Sequence, residues 1–180
     1  EREMKKFEKA KELERNFKRL EQHILKNLES KDEKKRKVAT VCYLIDAVNM
    51  RVGDEKDEDE ADTVGATTLT KDNIIVKEDG IVNFNFLGKD SVRWDKDIKL
   101  PENVIKNLKS FMASSKDFVF DGVKSEDVNE FLSEIVEGIT AKVFRTYHAT
   151  KSVRDYIESA GVKKTDTETY KKYVATMANL

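Results

Sequence analysis

The chain has 180 residues, enough for one domain with a buried core, and its charged share of 38% sits well above the usual quarter, which points to long solvated helices. A single cysteine, Cys42, excludes an internal disulfide and fits a reducing compartment; the longest apolar run, Val41 to Val48, is broken by Asp46 and too short to cross a bilayer, and the first residues do not read as a signal peptide. The net charge of −1 hides a polarity: residues 1–50 carry 14 basic and 10 acidic side chains, 141–180 carry 8 and 4, and 51–62 carry 2 and 7, so basic ends flank an acidic middle.

Residues 3–29 read as a helix, with Met4, Phe7, Leu13, Phe17, Leu20, Ile24 and Leu28 spaced at three- and four-residue steps. Ser30-Lys31-Asp32-Glu33 reads as a capping box opening a second helix. That helix is apolar nearly all round through Val38–Val48 and is expected to end near Arg51-Val52-Gly53, with the glycine as its cap. The stretch from Asp54 to Glu60 is too acidic to pack and reads as a loop.

A β segment follows. Ile74–Val76 is a strand, Asp79-Gly80 is a hairpin turn signal, and Ile81 to Leu87 alternates with Val82, Phe84 and Phe86 on one face and Asn83 and Asn85 on the other. Gly88-Lys89 then separates this strand from one expected at Ser91–Trp94, which puts Lys89 at a hairpin tip. From Pro101, a residue suited to a first helical position, the chain reads as helical: Val104, Leu108 and Met112 mark one helix, and Val128, Phe131, Leu132 and Ile135 another. Gly138 interrupts before Ala141–Tyr147, and two shorter helices are expected at about 150–160 and 167–179, the last opened by a capping box at Thr165-Asp166-Thr167-Glu168. The fold class is therefore mainly α with a small antiparallel β-sheet, organised as a charged helix at 1–30 and a core at 31–180.

The sequence contains no Walker loop, GxGxxG or CxxC, and His23, His148 and Cys42 lack metal-ligand spacing. The acidic loop lacks the glycine and alternating oxygens of a calcium-binding loop. Three basic residues stand out by position: Arg51 at a helix end, Lys89 at a hairpin tip, and Arg145 on an apolar-rich helix. Taken singly, each is what a solvated cation looks like.

Their surroundings change that weighing. Arg51-Val52-Gly53-Asp54-Glu55-Lys56 with Ala61-Asp62-Thr63-Val64-Gly65, then Asn85-Phe86-Leu87-Gly88-Lys89-Asp90-Ser91-Val92-Arg93, then Thr140-Ala141-Lys142-Val143-Phe144-Arg145-Thr146-Tyr147, resemble in order and spacing the first arginine, hairpin-lysine and second arginine motifs of type IB DNA topoisomerases. The form is closer to the eukaryotic and archaeal enzymes than to the poxviral and bacterial ones. The resemblance implies the catalytic-domain fold shared with tyrosine recombinases. It also implies relaxation of supercoils through a 3′-phosphotyrosine intermediate, with duplex DNA as partner and neither ATP, metal nor other cofactor.

On that resemblance Arg51 and Arg145 clamp the non-bridging phosphate oxygens, a task suited to the planar guanidinium fork. Lys89 is the general acid for the leaving 5′-oxygen. Lys142, three residues before Arg145, is a second-rank candidate, and Lys56 and Thr63 are candidates for phosphate contacts.

The family also needs a histidine some forty residues after the second arginine and a tyrosine beyond it. Only 35 residues follow Arg145, and His148 lies in the wrong place. Of the tyrosines, Tyr43 and Tyr147 read as core, Tyr170 and Tyr173 as one face of the last helix, and none of these or Tyr156 has the surroundings of a nucleophile. The chain is thus expected to be a core fragment, inactive alone, partnered by an N-terminal cap and a C-terminal tyrosine segment of its parent. Its expected setting is intracellular and DNA-associated: the nucleus in a eukaryote, the cytoplasm or nucleoid in an archaeon. The alternatives are a tyrosine-recombinase-like fragment and a non-catalytic DNA-binding or interaction module.

Overall fold

A computed structural model describes residues 2–53, 64–88, 91–147 and 151, with only the backbone for 2–7, 9 and 10. Among them the architecture is mainly helical with one three-stranded antiparallel sheet, in the order β1-β2-β3. The acidic stretch 54–60, the two C-terminal helices expected from the sequence and the Thr165 capping box lie outside the described residues.

Helix α1, Arg2–Asn27, buries Leu13, Phe17, Leu20 and Ile24 along one stripe; the side chains of Met4 and Phe7 lie outside the described residues. Helix α2, Glu33–Ala47, is the hub, packing against α1 and against two later helices. Its N-cap is Asp32, whose carboxylate accepts from the N–H groups of Lys34 and Lys35 at 2.9 and 3.3 Å. Ser30 is not the cap; its hydroxyl instead accepts from the Asp32 N–H at 3.2 Å, so the serine braces the cap from outside the helix.

The far end of α2 also departs from expectation. The helix stops at Ala47, four residues before Arg51, because Asn49 turns left-handed at φ 60°. The N–H groups of Val48 and Met50 both return to the Leu44 carbonyl at 3.2 Å, satisfying the end of the helix. Gly53, at φ 122°, is not the cap and serves a different contact, described below.

Strands β1 (Ile74–Val76) and β2 (Ile81–Leu87) join through Asp79 and Gly80 at φ 59° and 75°. The Ile81 N–H returns to the Glu78 carbonyl at 3.3 Å, the primed turn whose twist matches the strands. Val82, Phe84 and Phe86 face the core, as the alternation requires. On the opposite face the Asn83 amide donates to Asp95 and Asp97 at 2.9 and 2.8 Å, and Lys77 pairs with Asp97 at 3.1 Å. The Asn83 bond first, and Lys77 second, hold the Asp97 carboxyl below its ordinary range.

Strand β3 runs Arg93–Lys99, starting later and reaching further than Ser91–Trp94, because the register pairs Leu87 with Arg93 and continues to Ile81 with Lys99. Trp94 stacks on Phe86 at 5.0 Å, and Lys96 lies 4.1 Å over the indole, so the hairpin carries packed side chains on both strands.

Helix α3, Glu102–Ser114, is preceded by Pro101 in an extended N-cap conformation rather than at its first turn. It buries Val104, Leu108 and Phe111. Helix α4, Ser125–Ser133, buries Val128, Phe131 and Leu132. After Gly138, at φ 76°, residues 141–147 are helical (α5). Phe17 of α1 meets Phe144 and Tyr147 of α5 at ring distances of 5.9 and 5.0 Å, so the first helix supports the last described one.

One buried polar junction ties three helices. The Asn107 amide donates to the Leu28 carbonyl at 2.8 Å and to the Thr40 hydroxyl at 3.3 Å, and that hydroxyl donates to the Arg36 carbonyl at 2.7 Å. Asn107→Ala removes the amide and strands the Leu28 carbonyl in the core. It should lower unfolding free energy by about 2–3 kcal/mol in a urea titration. An unchanged midpoint would mean that this junction does not join the helices.

Candidate functional site

The turn after α2 carries two of the predicted site features. Asn49 reverses the backbone, Met50 plugs into the core, and Arg51 follows, half-buried. The carbonyls of Arg51 and Val52 accept from the N–H groups of Ala66 and Thr67 at 2.7 and 2.8 Å, so residues 51–52 are bonded to a returning strap. Gly53 and Gly65 meet back to back: a Cβ on Gly65 would lie 2.3 Å from the Gly53 Cα and 2.8 Å from the Arg51 carbonyl oxygen. Only glycine fits at 65, for reasons of space, since its own φ of −124° is ordinary.

The strap also reaches the sheet. The Val64 N–H donates to the Leu87 carbonyl at 2.8 Å, at the last residue of β2. The next residue, Gly88, is buried, and its N–H donates to the Val92 carbonyl at 2.8 Å to close the hairpin. Lys89 itself lies outside the described residues, as do Lys56, Thr63, His148, Tyr156, Tyr170 and Tyr173. The described chain therefore links the Arg51 turn to the base of the lysine hairpin through two hydrogen-bonded steps.

Arg145 comes from α5, whose Phe144 and Tyr147 anchor in the core. Its Nε donates to the Asn49 carbonyl at 3.1 Å across 96 positions of sequence. Burial first, and the neighbouring Arg51 guanidinium second, pull the Arg145 pKa below its ordinary value. Arg145 is thus half-buried within electrostatic reach of Arg51. Lys142 lies on the same helix, exposed, one turn before Arg145.

The other candidates separate from this place. His23 stacks on Phe131 at 4.2 Å, with Nε2 2.8 Å from a Glu134 carboxylate oxygen but off the hydrogen-bond line. Cys42 is buried and its thiol is pushed far up, chiefly by desolvation. Tyr147 is buried; Tyr43 packs partly against the core, and burial followed by Asp46 raises its pKa. Among the described residues no cluster of three metal-ligating side chains occurs, and no helix is long and apolar enough to cross a membrane.

Residues 1–180 match the family described as eukaryotic DNA topoisomerase I, catalytic core. The chain is similar to DNA topoisomerase 1 of Candidozyma auris, 39% identical over 175 residues, covering 96% of this chain and 23% of that protein. It is similar to DNA topoisomerase 1 of Candida albicans, 39% identical over 174 residues, covering 95% and 22%. It also matches DNA topoisomerase 1 alpha of Arabidopsis thaliana, 41% identical over 147 residues, covering 81% and 16%. It therefore spans less than a quarter of the length of these relatives. With the match running from the first residue to the last, the chain belongs to the eukaryotic DNA topoisomerase I family and is similar to part of its catalytic core.

Proposed function

We propose that these residues form the cationic half of a site that cleaves and rejoins one DNA strand to relax supercoils. The observation that carries this reading is that Arg145, through the bond from its Nε to the Asn49 carbonyl, is held at the α2 turn that leads into Arg51. Catalysis by such a pair is electrostatic. As a tyrosine oxygen attacks the phosphate, negative charge grows on the two non-bridging oxygens. Fixed guanidinium groups in a partly desolvated place stabilise that charge without reorganising. Their planar forks match two oxygens in a way an ammonium does not.

Lys89 is the proposed general acid. It would protonate the 5′-oxygen as the P–O bond to it breaks and take the proton back on rejoining, when the 5′-hydroxyl attacks the phosphotyrosine. The strap from Arg51 to Leu87 supports this role, because it fixes the hairpin base relative to the arginine turn. Lys142 is the proposed secondary phosphate contact, and Lys56 and Thr63 are proposed as further ones. On this reading residues 31–180 carry the cations, residues 1–30 brace α5, and the attacking tyrosine comes from a segment outside these 180 residues. Duplex DNA is the substrate, and a nuclear location follows from it.

Plasmid relaxation without ATP and with EDTA present tests the assignment. The isolated chain should show no relaxation, since no covalent intermediate forms without a positioned nucleophile. Adding the remaining segments of the parent should restore it. Relaxation by the chain alone would mean that one of its own tyrosines attacks. In the reconstituted enzyme, Arg145→Ala should slow relaxation at least ~100-fold, the scale of losing one oxyanion donor, with no matching loss of stability. Full activity in that variant would end the phosphate-clamp assignment.

Binding offers a separate check. Duplex affinity of the isolated chain should be weak and fall steeply as salt rises, since its contacts are to phosphate. Tight binding with a flat salt response would contradict it.

A further inference from the structure

Arg145 uses one of its three nitrogens on the protein itself. Its Nε donates to the Asn49 carbonyl, while among the described residues its two terminal nitrogens take no partner. The Nε bond biases the direction of the guanidinium, and the two nitrogens left over can form a fork. The acceptor is unusual in its origin. It is a main-chain oxygen presented by a residue at φ 60°, a conformation that asparagine tolerates and a branched side chain does not. The Asn49 side chain is exposed and has no hydrogen bond among the described residues, so its identity acts through the backbone alone.

We infer that Asn49 is a positioning residue: its left-handed turn aims its carbonyl at Arg145 Nε and thereby orients the arginine fork toward the phosphate. The inference rests on the phosphate-clamp reading for its consequence, but the anchoring itself does not. The same turn caps α2 and leads into Arg51. An extended conformation at residue 49 would turn the carbonyl away and free Arg145 to follow solvent or its own α5 carbonyls.

Two measurements separate anchoring from mere stability. In the 180-residue chain, the Arg145 Nε–H exchange rate is read by nitrogen-15 NMR for the wild type, Asn49→Gly and Asn49→Val. Protection should persist with glycine, which adopts the left-handed region freely, and fall at least about tenfold with valine. In the reconstituted enzyme, Asn49→Val should slow single-turnover cleavage about ten- to hundred-fold with DNA affinity little changed, and Asn49→Gly should restore the rate. In an Arg145→Ala background the valine should cost nothing further, because the group it misaligns is gone. Protected Nε–H in the valine variant overturns the anchoring, and so does an equal cleavage loss with and without Arg145. Should the valine variant not fold, Asn49→Ala takes its place under the same two readings. If protection responds as expected while Arg145→Ala keeps full relaxation, the clamp assignment fails and the anchoring contact stands.

Discussion

The described site depends on one close approach, Gly53 against Gly65. Bare backbones there allow the strap to hydrogen-bond to Arg51 and Val52 on one side and to Leu87 on the other. Any side chain at 65 would push the strap off the arginine turn and, with it, off the end of β2. Van der Waals exclusion at a single Cβ thus sets the spacing between two elements that are 36 positions apart in sequence. The helices supply the rigid ground for this. α2 buries Val38 to Cys42, Leu44 and Ile45, and α5 is held by the Phe17 contacts, so neither arginine rides on a loose element.

Electrostatics then defines what such a place can do. Burial first, and the neighbouring Arg51 second, make the charged Arg145 guanidinium costly in the unliganded protein, which its lowered pKa registers. On the proposed phosphate-clamp reading, that cost falls when an anion with two exposed oxygens enters, and falls further as charge builds on those oxygens during attack. Interactions that strengthen toward the transition state accelerate a reaction, whereas uniform binding does not. The carbonyl of Asn49 contributes by fixing direction, and the hydrophobic packing of Met50, Phe144 and Tyr147 contributes by holding both stems.

Much of this was legible in the sequence. The stripe from Leu13 to Leu28, the alternation of β2 and the Asp79-Gly80 turn follow from side-chain periodicity and turn chemistry, and they match the structure. Arg51 and Arg145 could be singled out only through their flanking strings, since an isolated arginine carries no signal. Element ends were less legible. α2 stops at Ala47 because Asn49 takes the left-handed position, and asparagine before Met50-Arg51 was the available sign. Gly53 attracted the cap assignment, but its purpose is contact with Gly65, a pairing that no local pattern reveals. β3 extends to Lys99 because cross-strand bonds from Asn83 to Asp95 and Asp97 stabilise a strand whose own residues are mostly exposed and charged. Asn107, three helices' shared donor, reads in sequence as one polar residue on an apolar face.

The central claim is that the arginine pair answers to charge on the non-bridging phosphate oxygens. The most direct measurement is single-turnover cleavage of a duplex whose scissile phosphate carries a neutral methyl group in place of one such oxygen. It is run on the reconstituted enzyme with Arg145 and with alanine in its place. The account predicts that the large rate difference seen on the natural phosphate shrinks to within about tenfold on the neutral one, because the charge that Arg145 stabilises has been removed. A difference of the same size on both substrates would show that Arg145 acts in some way other than through that charge.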